Sequence, residues 1–124
     1  MSKYDSATRR RRPGPLYNFE RIRMRPVPTT VTILETNTTG TGTVFLSMRA
    51  QNYTATAAWF KVYVTDSPTT SPTEEDLVFP QTSLAPNEML SDPFKYQLDP
   101  GDTIWCKAQT AASVSLWCNL EIEV

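Results

Sequence analysis

From Ala58 to Val64 every second residue is apolar: Ala58, Phe60, Val62 and Val64 alternate with Trp59, Lys61 and Tyr63. The same period runs through Val44, Leu46, Met48 and Ala50, where Ser47, Arg49 and Gln51 face away. It returns at Ile104, Cys106 and Ala108, and again at Val114, Leu116, Cys118, Leu120, Ile122 and Val124. A strand turns successive side chains to opposite faces, so alternation of period two marks an extended chain with one face in a core and one outside. No stretch carries the 3.6-residue period of a helix. A chain of this texture must build sheets and press their apolar faces together.

The segments between these runs are turn material. "TTVTILET" begins the β texture, with Val31 and Ile33 alternating with threonines, and "NTTGTGT" (37–43) follows as a turn. "DSPTTSPTEED" (66–76) is a polar loop, 77–83 a strand, "APNE" a turn, and Met89-Leu90 and 94–98 short strands. "DPGD" (99–102) is a strong turn signal, because proline presets φ and glycine supplies positive φ. Asp92, Asp99 and Asp102 are turn formers in this setting. "TIWCKAQ" and "SVSLWCNLEIEV" are expected to form a hairpin around Ala111-Ala112. Seven to eight short strands at regular spacing predict an all-β, largely antiparallel sandwich, Ig-like or jelly-roll-like, with a small barrel as the other closure.

The 124 residues suffice for one domain, and its charge is unevenly spread. Residues 1–26 hold eight basic groups against two acidic, a net of +6; the rest holds four against eleven, a net of −7. Pro13, Pro15, Pro26 and Pro28 exclude helix from the basic stretch. The division expected is an extended basic arm over 1–28 and a β-sandwich over 29–124. Leu16, Tyr17, Phe19, Ile22 and Met24 interleave with arginines, which suits a segment that orders by docking in a groove.

Several functional classes lose ground. There is no histidine, hence no general base near neutral pH and no imidazole ligand. Two cysteines alone do not make a zinc site. No catalytic, cofactor or metal residue is expected. No apolar run follows the charged N-terminus as in a secretory signal, and none approaches the ~18 residues of a membrane span. The sequons at Asn37 and Asn52 read as Thr-rich strand ends rather than glycan sites.

The candidate contact residues fall in two sets. In the terminal strands Cys106 and Cys118 share the apolar face, as two buried reduced thiols in preference to a cross-strand disulfide. Trp105 and Trp117 point the other way, as do Trp59 and Tyr63. Three readings are open for these four rings: covered by the chain's own second layer, contact points for another copy or a neighbouring protein, or a sugar platform. The second set is the arm: Arg9, Arg10, Arg11, Arg12, Tyr17, Phe19, Arg21, Arg23 and Arg25. An acidic protein surface, other copies of this chain included, is the favoured partner, through bidentate Arg–carboxylate pairs. Nucleic acid is the second candidate and a purely solvating role the third.

The path "TVFLSMRAQNYTATAAWFKVYVTD", then "LAPNEMLSDPFKYQLDPGDTIWCKAQTAASVSLWCNLEIEV", resembles a family of small virion structural proteins of tailed bacteriophages. The matching positions are Leu46–Asn52, Ala57–Asp66 and Leu98–Ala108, within about 29–124; the arm is unmatched. The resemblance implies an Ig-like or jelly-roll-like sandwich without catalytic residues, assembled into the virion in the bacterial host cytoplasm. It implies the role of head decoration (cement) protein, or of neck or tail accessory. The partners it implies are the major capsid protein or other virion proteins, with homo-oligomer formation.

Overall fold

The computed structural model describes residues 17–38, 43–92 and 96–123, with side chains from Arg21 to Thr38, Ser47 to Asp92 and Tyr96 to Glu121. Among these residues nine strands form: β1 Tyr17–Met24, β2 Thr32–Thr36, β3 Thr43–Asn52, β4 Ala58–Thr65, β5 Leu77–Leu84, β6 Met89–Asp92, β7 Tyr96–Leu98, β8 Thr103–Ala108 and β9 Val114–Glu123. One 3-10 turn, Glu74–Asp76, precedes β5. A five-stranded sheet runs β1-β9-β3-β6, with β7 also on β3, and a four-stranded sheet runs β2-β8-β4-β5. All pairings are antiparallel.

The pairing is nested. β1 pairs β9, β2 pairs β8, β3 pairs β6 and β7, and β4 pairs β5. The chain is thus a long ribbon doubled back at the β4–β5 connection and rolled so that successive pairs fall in alternate sheets. This is the jelly-roll form of the sandwich.

The alternating apolar positions meet between the sheets. Met48 and Ala50 come from β3, Phe60 and Val62 from β4, Ile104, Cys106 and Ala108 from β8, and Val114, Leu116, Cys118 and Leu120 from β9; all are at most 2% exposed. Phe60 stacks on Phe79 with centroids 5.6 Å apart. In β2 the alternation is corrected: Leu34 is buried and Ile33 faces outward. Register sets this: Ile33 lies opposite the outward Trp105, and a register shift follows between Ile33 and Glu35.

Side chains close the strand ends. Asn52 is fully buried, and its Nδ2 donates to the carbonyls of Thr56 (2.8 Å) and Leu84 (3.1 Å). Its Oδ1 accepts from the N–H and hydroxyl of Thr54 at 2.9 and 2.8 Å. Asn37 is buried too and donates to the Leu98 carbonyl. In the turn over 99–102 the Asp102 N–H bonds the Asp99 carbonyl, the Asp102 carboxylate accepts the Asp99 N–H, and Gly101 holds φ of 93°. Proline at the second position and positive-φ glycine at the third is the type II pattern.

Two expectations are corrected here. β8 and β9 are not a hairpin: each lies in a different sheet, and residues 109–113 arch between them. Hydrogen bonding to β2 and β4 on one side and to β1 and β3 on the other leaves them no edge to share. The sandwich also begins before residue 29. Tyr17–Met24 pairs residue for residue with β9, Ile22 and Met24 pack against the core, and Val27 is fully buried. The Val27 N–H bonds the Val114 carbonyl, and the Pro28 carbonyl accepts from Ala108. The physical reason is the period of two in Arg21-Ile22-Arg23-Met24, with Pro26 and Pro28 beyond the strand's end. Arg9, Arg10, Arg11 and Arg12 lie outside the described residues.

Removal of residues 1–16 is therefore expected to leave the thermal midpoint unchanged, whereas removal of 1–26 strips β1 from β9 and is expected to lower it sharply; circular dichroism melts of the two truncations check this. Asn52→Ala is expected to cost about 2–3 kcal/mol in urea unfolding, because buried carbonyls lose their donor.

Candidate interaction surface

The two outer faces of the sandwich differ in chemistry. Across the four-stranded sheet one register row reads Ile33, Trp105, Tyr63 and Leu77. Sequence reasoning turned Trp105 and Tyr63 outward, either under the chain's own second layer or as contact rings; outward they point, and they are 8% and 2% exposed. The β4–β5 connection folds back over this face. Tyr63 Oη donates to Glu74 Oε2 at 3.1 Å, and Lys61 Nζ reaches Glu74 Oε1 at 2.8 Å. Trp105 Nε1–H donates to Thr65 Oγ1 at 2.8 Å. Tyr63 is thus covered by the chain's own connection and Trp105 is bonded within its sheet; at this burial neither is an exposed contact ring. Trp59 is half-buried beside Lys61, whose Nζ lies 5.3 Å from the ring centroid.

The outer face of the five-stranded sheet is open and cationic. Register places Arg23, Trp117, Arg49 and Ser91 in one row across β1, β9, β3 and β6, and Arg21, Asn119 and Ser47 in the next. Arg21, Arg23 and Arg49 are exposed and Trp117 half-buried. The Arg49 guanidinium lies 6.0 Å from the Trp117 ring centroid, a cation–π distance. Arg21 Nε donates to Asn119 Oδ1 (3.5 Å), and Asn119 Nδ2 to Ser47 Oγ (2.8 Å). Among the described residues none of these three arginines is paired with a carboxylate; the ion pair present is Lys61–Glu74.

A cleft of about 180 Å³ lies between Arg21, Arg49, Trp117 and Asn119. It adjoins one of about 250 Å³ lined by Ser47, Arg49, Ser91, Asp92 and Asn119. Two guanidinium groups, an indole wall and an amide converge there, a donor set for a carboxylate or another planar anion. Of the expected contact residues, Arg21, Arg23 and Trp117 are brought together. Arg25 is exposed just past the end of β1. Tyr17 and Phe19 contribute backbone to β1, and their side chains fall outside the described set. Arg49, Asn119 and Ser47 were missed as contact residues. Their outward orientation was readable from the alternation, but their adjacency to β1 was not.

The buried thiols sit on opposing sheets. Both cysteines are free. Cys106 Sγ lies 3.3 Å from Met24 Sδ. Burial pushes the Cys106 thiol up to about 12. Burial, and secondarily the neighbouring Cys106, raises Cys118 further. Tyr63 is also pushed up to about 12, by burial first and then by the Glu74 carboxylate. The Lys61 ammonium holds Glu74 below the usual carboxylate range. Among the described residues no group of three or more His, Cys, Asp or Glu converges, and no helix is long and apolar enough to cross a membrane.

No family model and no curated protein sequence matches the chain. Its fold is similar to that of a chain in the T13 particle of infectious bursal disease virus: TM-score 0.54, 10% identity, 86% of this chain and 31% of that one. The Gx strain of that virus gives TM-score 0.54, 8% identity, and 90% and 34% of the two chains. A Bacillus endospore appendage protein, from a family of disulfide-linked pili, is similar along its length: TM-score 0.50, 15% identity, 88% of each chain. The chain spans about a third of the length of the viral chains it matches. At these identities the likeness establishes the class of fold, a β-sandwich, shared with subunits of two kinds of protein assembly.

The raised thiols and Tyr63 fix the direction of the alkaline response. A group whose folded pKa exceeds its unfolded one contributes stability below the unfolded value and loses it as pH rises towards the folded one. Stability is expected to hold up to about pH 8.5 and then fall, by about 1.4 kcal/mol per pH unit for each thiol. Urea midpoints measured from pH 7 to 11 read this slope. At pH 8 iodoacetamide is expected to leave both cysteines unmodified in the folded chain and to alkylate both in urea.

Proposed function

We propose that the chain is a non-enzymatic structural subunit of a virion, a decoration or cement protein. It binds neighbouring subunits of the particle, capsid subunits and other copies of itself, through the outer face of its five-stranded sheet and through the basic segment that precedes β1. The observation that carries this reading is the surface of exposed Arg21, Arg23 and Arg49 around half-buried Trp117, whose guanidinium groups have no carboxylate of their own among the described residues. Arginine and tryptophan at an exposed, partly preorganised site carry much of the energy in protein interfaces. The sandwich likeness to a virus-particle chain supports the setting.

The segment with Arg9, Arg10, Arg11 and Arg12 is continuous with β1, an edge strand. Sixteen residues have a contour length of about 50 Å at most, enough to reach a neighbouring subunit. Contacts of rigid sandwich and tether to one surface reinforce each other through effective concentration. Both cysteines of the chain are buried, so disulfide links to neighbours are not expected, unlike those of the disulfide-linked pili. The end-to-end likeness to a pilus protein supports a second reading, a neck or tail component of a tailed bacteriophage that stacks in a ring.

Quantifying the chain in purified particles separates the two readings. A copy number comparable with the shell protein's is expected for decoration and a single ring's worth for a neck or tail part; absence from particles overturns both. The chain lacking residues 1–16 is expected to fold yet be depleted from particles by more than about tenfold. Undiminished incorporation would remove the tether from the account.

A further inference from the structure

The 3-10 turn on the four-stranded side is built as a rigid carboxylate display. Thr73 and Asp76 close it reciprocally: the Asp76 carboxylate accepts the Thr73 N–H at 2.8 Å, and the Asp76 N–H bonds the Thr73 carbonyl at 2.9 Å. Glu74 is held from beneath by Lys61 and Tyr63. The remaining acid of the turn, Glu75, is exposed and has no partner among the described residues. Because Lys61 and Tyr63 are odd-numbered residues of β4 and its inner face is even, the turn lies on the outer face of the four-stranded sheet. The cleft of Arg21, Arg49, Trp117 and Asn119 lies on the outer face of the other sheet.

One molecule therefore carries an anionic projection on one broad face and a cationic recess on the other. Within a single chain they cannot meet, because the core lies between them. A water takes about 30 Å³ of liquid volume, so a recess of about 180 Å³ admits a carboxylate-bearing side chain. The Arg49 guanidinium lies beside the indole, and Arg21 is tied through Asn119 to Ser47. Both cations thus lose little freedom on binding an acid. The acidic balance of the rest of the chain, a net of −7 beyond residue 26, favours a carboxylate of another copy over nucleic acid as the ligand.

We propose that this cleft receives Glu75 from a second copy of the chain, joining copies head to tail through opposite faces of the sandwich. Such a contact is heterologous, so it closes into a ring or continues as a stack. The inference rests on the structural-subunit reading. It is tested on the purified chain alone, so its failure leaves incorporation into particles unaffected.

The test is analytical ultracentrifugation of the full chain across concentration at low salt. The wild type is expected to associate, and association is expected to weaken as salt rises. Glu75→Lys, Arg49→Glu and Arg21→Glu each alter an exposed residue and are expected to keep the wild-type melting midpoint while weakening association more than about tenfold. Direction is read by mixing neutral variants: Glu75→Ala keeps its cleft and the Arg21→Ala/Arg49→Ala chain keeps its Glu75, while the two ends left over carry no complementary charge, so together they form 1:1 dimers and nothing larger. A wild type that stays monomeric, or variants that associate undiminished, overturns the proposal. So does a single-stranded oligonucleotide that binds the wild type and is lost with Arg49→Glu while the chain stays monomeric.

Discussion

β9 is the strand on which the rest of the molecule depends. It is hydrogen-bonded along both edges, to β1 and to β3. Its inner residues Val114, Leu116, Cys118 and Leu120 are at most 1% exposed. A central strand with a fully apolar inner face has one stable location, between two neighbours and against a second sheet. Once β9 is placed there, β1 becomes the edge of its sheet, and the arch over 109–113 must carry the chain to β8 in the other.

This arrangement produces the asymmetry of the surface. β1 ends the basic N-terminal stretch of the sequence, and its odd residues have no core to enter, so Arg21 and Arg23 stand on the outer face. Arg49 reaches the same face from β3, with Trp117 of β9 between them in register. On the other side the β4–β5 connection, too long for a tight hairpin, folds back and covers Tyr63 while exposing its own acids. Segregation of charge between the faces follows from which strand ends at which edge. Long-range attraction between such faces depends on salt, since exposed charges are screened beyond about 10 Å at 0.1 M.

Much of the core was legible because burial follows a local period. Ala58, Phe60, Val62, Ile104, Cys106, Ala108 and the inner residues of β9 were all readable as inward-facing. The turn over 99–102 was readable from Pro100 and Gly101, whose conformational preferences are intrinsic. Where local signals competed, reading failed. Four prolines and a run of arginines marked 1–28 as a tether, although the alternation from Arg21 to Met24 carried the strand signal. Trp105 and Tyr63 were correctly oriented, but whether they were covered stayed open, because alternation reports which face a residue is on and not what later folds over that face.

The sequence by itself determined that the chain alternates into sheets, which side chains enter the core, where several turns fall, and that positive charge gathers at one end. Only the tertiary structure decided which strands are neighbours, and with that the cleft. Arg21, Arg49 and Trp117 meet because backbone hydrogen bonds join β1, β9 and β3 across most of the chain's length. Alternation is a property of each residue and the next, whereas adjacency in a sheet is settled by the lowest free energy of the whole rolled ribbon, which no short stretch encodes.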